Sequence, residues 1–121
     1  MLDHITVTVA DFQRSKAFYA AALASLSYSV GYEWETGCGF GDGDGIPDFW
    51  ICEGDRTAPV HVAFGVPERQ LVHAFHEAAL AAGGVDNGAP GPREQYGPTY
   101  YAAFVHDPDG NNVEAVCHKP E

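Results

Sequence analysis

The chain is one unit written twice. A shift of 57 positions, without a gap, lays His4 on His61, Val9 on Val66, Gln13 on Gln70 and Ala17-Phe18 on Ala74-Phe75. The same shift lays Ala21-Ala22-Leu23-Ala24 on Ala78-Ala79-Leu80-Ala81. A repeat of this size is a supersecondary unit that cannot bury its own sheet face, so the two copies must pair. The 121 residues make one domain, 1–121, with a first module over about 1–56 and a second over about 57–121.

Each module reads strand, helix, strand, strand, strand. Ile5, Val7 and Val9 alternate with His4, Thr6 and Thr8, and Val62, Phe64 and Val66 alternate with His61, Ala63 and Gly65. That is the period of a half-buried strand. Asp11 is placed to cap a helix over about 12–24, with Phe12, Ala17, Phe18, Ala21 and Ala22 along one face. Strands are predicted over 27–34, 36–40 and 48–52, with a glycine- and aspartate-rich loop over 41–45. A linker-like stretch, 54–59, leads to the second module, whose helix over about 67–82 ends at Gly83-Gly84. Residues 86–98 are rich in Gly and Pro and are predicted mostly as loop. Strands follow over 100–105 and 113–116. Between them Asp107-Pro108-Asp109-Gly110-Asn111 is a tight turn, because Pro fixes φ while Asp, Gly and Asn tolerate chain reversal. The expected fold is therefore α+β: two tandem βαβββ modules forming a curved mixed sheet around a cavity, helices outside.

Six Lys and Arg against 17 Asp and Glu give a net charge of −11. This argues against nucleic acid, phosphate-rich ligands and anionic membranes as partners, and suits a metal or a cationic small molecule. There is no apolar run near the roughly 20 residues of a membrane span and no secretory pattern at the start, so a cytoplasmic protein is expected. Three cysteines without a C-x-x-C pair predict reduced thiols rather than disulfides or a thiolate zinc site.

The chemistry is expected on the side of each first strand that carries small or polar residues. A face of His4/Thr6/Thr8 and His61/Ala63/Gly65 cannot fill a core and more readily lines a cavity. His4 and His61 enter from matching positions, and Glu114 enters from the last strand, inside the apolar run Val113-Glu114-Ala115-Val116. A carboxylate there is costly unless a metal, a cation or donors meet it. Two imidazoles and a carboxylate form a facial site for a divalent first-row metal, with positions left open for water or substrate. Trp50, Tyr96, Tyr100 and Tyr101 are the candidate pocket residues, with Tyr101 as a candidate catalytic hydroxyl.

These motifs resemble the vicinal oxygen chelate superfamily, which holds glyoxalase I, extradiol dioxygenases, fosfomycin-resistance transferases and bleomycin-binding proteins. The residues that carry the likeness are Asp3-His4-Ile5, Ser15-Lys16-Ala17-Phe18-Tyr19, His61-Val62-Ala63-Phe64 and the 107–111 turn before Glu114. The resemblance implies metal ligation by His4, His61 and Glu114, a divalent ion (Fe, Mn, Ni or Zn), a small oxygenated substrate and a homodimer.

The chain departs from each branch of that superfamily. Aligning Gly45 with Gly110 puts Phe49 opposite Glu114, where glyoxalase I would carry a fourth ligand, and Glu53 is the nearest acid. Phe104 holds the place of the extradiol tyrosine, and Gln95 that of a histidine. Arg93 and Lys119 are few cations for a phosphonate. The resemblance implies a metal-dependent enzyme of dioxygenase or lyase/isomerase type. The alternative is a non-catalytic protein that sequesters a cationic drug in an aromatic cleft, as bleomycin-binding proteins do.

Overall fold

The computed structural model describes residues 1–55 and 58–121, so residues 56 and 57 of the predicted linker lie outside the described residues. The first module runs β1 (Ile5–Val9), α1 (Phe12–Ala24), β2 (Ser29–Trp34), β3 (Gly37–Gly41) and β4 (Phe49–Glu53). The second runs β5 (His61–Gly65), α2 (Arg69–Ala81), β6 (Val85–Pro92), β7 (Tyr101–His106) and β8 (Asn112–Cys117). Each module builds one four-stranded mixed sheet, in the orders β1-β4-β3-β2 and β5-β8-β7-β6. In each, the first strand runs parallel to the last and the remaining pairs are antiparallel. The two sheets stay separate, and β1 and β5 are each the end strand of their own sheet.

The sequence pattern explains which face is which. Val7 and Val9 are buried while Thr6 and Thr8 are exposed. One core cluster spans both modules, joining Phe12, Phe18, Tyr19, Leu23, Phe40, Phe49 and Ile51 to Val72, Phe75, Ala79, Val105 and Val113. The helices start where local chemistry allows. Asp11 accepts from the Arg14 backbone N–H at 3.1 Å, the N-cap bond its residue type favours. Glu53 adds a second acceptor, taking the Phe12 N–H at 3.0 Å. α2 is closed by Ala82, and Gly83 just beyond it takes the left-handed φ of +99° that glycine permits after a helix end.

The region over 86–98 differs from its loop expectation. Residues 85–92 form β6, paired with β7 through two register shifts, Asp86/Gly88 and Gly88/Gly91. Glycines and prolines suit a bulged end strand, which is where such residues are tolerated in sheets.

The 107–111 turn ties the modules together. Asp107 is nearly buried; its Oδ1 accepts the backbone N–H groups of Asp109 and Asn111 at 2.9 and 2.8 Å. Its Oδ2 accepts the Tyr19 hydroxyl of α1 at 2.5 Å. Asp109 accepts from the Ala10 N–H and the Ser15 hydroxyl, both in the first module. Gly110 takes a φ of +83°, which closes the turn without a Cβ clash.

Candidate metal centre

The centre is built on the open face of the second sheet. Ala63 lies opposite Glu114 on one side, and Phe104 lies opposite it on the other. With side chains alternating along each strand, His61, Ala63, Asn112, Glu114, Val116 and Phe104 share that face. Glu114 is fully buried on that face, with the His61 and Tyr100 side chains bonded to it.

Both of its oxygens are engaged. His61 Nε2 sits 2.8 Å from Glu114 Oε1, and the Tyr100 hydroxyl donates to Glu114 Oε2. The two partners differ sharply in access: the His61 side chain is 54% exposed and that of Glu114 is 1%. An exposed imidazole therefore caps a buried carboxylate. Burial, then the hydrogen bond to Glu114 and its charge, push the Tyr100 phenol up to about 12, so it remains a donor at neutral pH.

His4 stands elsewhere. It is exposed and bonded through Nδ1 to Asp3 at 2.7 Å. His4 and His61 both border a cleft of about 390 Å³ between the modules, lined also by Tyr28, Phe49, Phe64 and Leu71. Glu114 does not line it. Among the described residues no three His, Cys, Asp or Glu side chains gather into a metal-holding group. The structure thus brings His61 and Glu114 together and leaves His4 apart from them within one chain. An imidazole nitrogen and a carboxylate oxygen on one side suit a first-row divalent metal, so the pair fits as two of the three expected ligands.

The remaining candidates divide by strand parity. Tyr101 faces the other way, toward α2, where its hydroxyl meets His73 Nε2 at 2.6 Å and the Arg69 guanidinium lies 4.6 Å from its ring centre. Tyr100, one residue earlier, is the tyrosine that reaches Glu114. Tyr96 is exposed and packs edge-on against Tyr100 at 5.3 Å. Trp50 lies on the open face of the first sheet, opposite Thr6, in a cluster with Tyr32 and Trp34 at 6.0–6.2 Å. Tyr32 and Trp34 are both exposed; the sequence suggests Trp34, with Trp50, for the aromatic cleft of a drug-binding protein, and Tyr32, two residues before it on the same face of β2, is the residue it does not single out. Glu53 faces the helix side as a cap of α1, away from the open face. His76 bonds Asp86 on the surface, and holds that carboxyl below the usual range.

Comparison with known proteins agrees with the fold. The family model "Glyoxalase/Bleomycin resistance protein/Dioxygenase superfamily" matches residues 1–115, and the chain belongs to that superfamily. A protein named "Probable lactoylglutathione lyase" from Vibrio cholerae is 39% identical over 59 residues, 49% of this chain. The match spans only 39% of that relative's length. A glyoxalase/bleomycin resistance protein from Albidiferax ferrireducens superposes with a TM-score of 0.78 at 28% identity, covering 97% of both chains. A genomically encoded fosfomycin resistance protein from Listeria monocytogenes shares the fold, with a TM-score of 0.72, 23% identity and coverage of 97% and 92%. No helix among the described residues is long and apolar enough to cross a membrane.

Proposed function

We propose that the chain is a divalent-metal-dependent enzyme of this superfamily, of lyase/isomerase or dioxygenase type, acting on a small oxygenated organic compound. One observation carries the reading: an exposed imidazole and a buried carboxylate meet at 2.8 Å on an open sheet face. His61 and Glu114 would hold the ion, and His4 of a second copy would complete the set in a homodimer. Support for the second copy comes from β1 and β5, end strands with unpaired edges, which template pairing with another chain. When bound, the metal supplies Lewis-acid polarisation of neighbouring substrate oxygens. The chain's own part is to fix the ligands and shield the pocket. Tyr100 keeps Glu114 Oε2 occupied, and Phe49, Phe64 and Leu71 line the cleft that His61 borders. The lactoylglutathione lyase relative favours lyase chemistry over dioxygenase chemistry.

A second reading is a binding protein that sequesters a cationic drug. The −11 charge and the exposed Tyr32–Trp34–Trp50 cluster favour it, since cations are attracted to aromatic faces. Metal analysis of untagged protein, purified without added metal, separates the two. The enzyme reading expects about one ion per chain. No metal, and none taken up when Fe, Mn, Ni or Zn is added, overturns it and leaves the binding protein.

A further inference from the structure

We infer that Tyr100 is the positioning residue of the centre: it holds one oxygen of Glu114 so that the carboxylate presents only the other to an ion. The inference rests on the metal reading above and adds to it a residue outside the ligand set.

The geometry leaves few alternatives for that oxygen. Glu114 Oε1 faces His61 and Oε2 accepts from Tyr100. Its other neighbours across the sheet are Ala63 and Phe104, which offer no side-chain donors. Once an ion takes Oε1 together with His61, the phenol is the protein donor left on Oε2. A carboxylate pinned in this way ligates through one oxygen, and its plane is set by the tyrosine. Outer donors of this kind orient ligands and tune affinity.

Tyr100 is itself firmly placed. Its carbonyl accepts the Arg93 N–H at 2.8 Å, which closes the 93–100 loop at its neck. Its ring meets Tyr96 at 5.3 Å and His118 at 5.2 Å, both edge-on, at 62° and 87°. The phenol therefore approaches Glu114 from a fixed direction.

Co2+ binding to the full-length chain tests the assignment by affinity and by visible spectrum, without any substrate. Tyr100→Phe keeps the ring contacts and removes only the hydroxyl. It is expected to weaken Co2+ binding about 10-fold or more and to alter the spectrum as the second oxygen becomes free to ligate. Tyr101→Phe, whose hydroxyl bonds His73, is expected to match wild type in both. Tyr100→Phe with wild-type affinity and spectrum overturns the inference alone. A wild-type chain that takes up no Co2+ overturns the metal reading and this inference with it. If Tyr100→Phe melts early, the Tyr96→Phe chain is compared as well: it leaves the Tyr100 hydroxyl in place, so a loss of affinity there overturns the inference.

Discussion

Trp50 occupies in the first sheet the place that Glu114 occupies in the second. Thr6 faces Trp50 across the parallel β1–β4 pair, as Ala63 faces Glu114 across β5–β8, and Thr6 and Ala63 are related by the 57-residue repeat. The duplication has kept a histidine at the start of each first strand and has put an indole where one module holds its carboxylate. The two modules therefore contribute differently, one an acid and the other a ring.

Metal uptake should separate the two positions. Glu114→Gln is expected to reduce affinity for Mn2+ or Co2+ by about 100-fold or more. Trp50→Ala is expected to leave it at the wild-type value. Calorimetric titration of each variant measures this, and a strong loss in Trp50→Ala would mean the indole shapes the centre directly.

Trp50 lies flat on the sheet because Gly39 beneath it has no side chain. A Cβ at Gly39 would come within 2.6 Å of the indole. Gly39→Ala is expected to lift the ring, shift the tryptophan emission and cost about 1–3 kcal/mol in denaturant unfolding. Unchanged emission would show that the ring is held from elsewhere.

The tie between modules should be visible in stability. Tyr19→Phe leaves one oxygen of nearly buried Asp107 with one partner fewer. Loss of a hydrogen bond to a buried charged group should cost about 2 kcal/mol by urea unfolding.

The same contact sets an alkaline limit. Burial and Asp107 raise the Tyr19 phenol well above its ordinary value, and burial and Asp48 raise Tyr28 to about 12. A folded value above the unfolded value means the native state holds its proton longer. The stability that Tyr28 contributes is complete below about pH 10 and declines as pH rises through about 12, and that of Tyr19 is likewise lost only on the alkaline side of its ordinary value. Phenolate absorbance should therefore lag behind that of the urea-unfolded chain across this window, with the lag reduced in Tyr28→Phe.

Much of this was legible in the sequence, and the rest was hidden for identifiable reasons. The gapless repeat and the period-two alternation of Val7/Val9 and Val62/Phe64 gave both modules and the faces of their first strands. β6 was hidden because its glycines and prolines read as loop while serving as a bulged sheet end. The pairing of Phe49 with Glu114 was off by one: Phe49, which pairs with Ile5, lies four residues after Gly45, whereas Val113, which pairs with the equivalent Val62, lies three after Gly110, so strand pairing matches Trp50 to Glu114 instead. Glu53, an acid at the end of β4, caps a helix, a role visible only when Phe12 is brought beside it. Tyr100 and Tyr101 were indistinguishable by type; the strand that begins between them turns one toward Glu114 and the other toward His73.

In the proposed centre, ligands from two copies meet on one ion. The most direct measurement is Mn2+ binding to His4→Ala and Glu114→Gln chains, each alone and after unfolding and refolding as an equal mixture. Each variant alone should bind no ion tightly. The mixture should regain about a quarter of the wild-type sites, because half of randomly formed dimers are mixed and each holds one intact set. Wild-type binding by either variant alone, or no recovery on mixing, would contradict it.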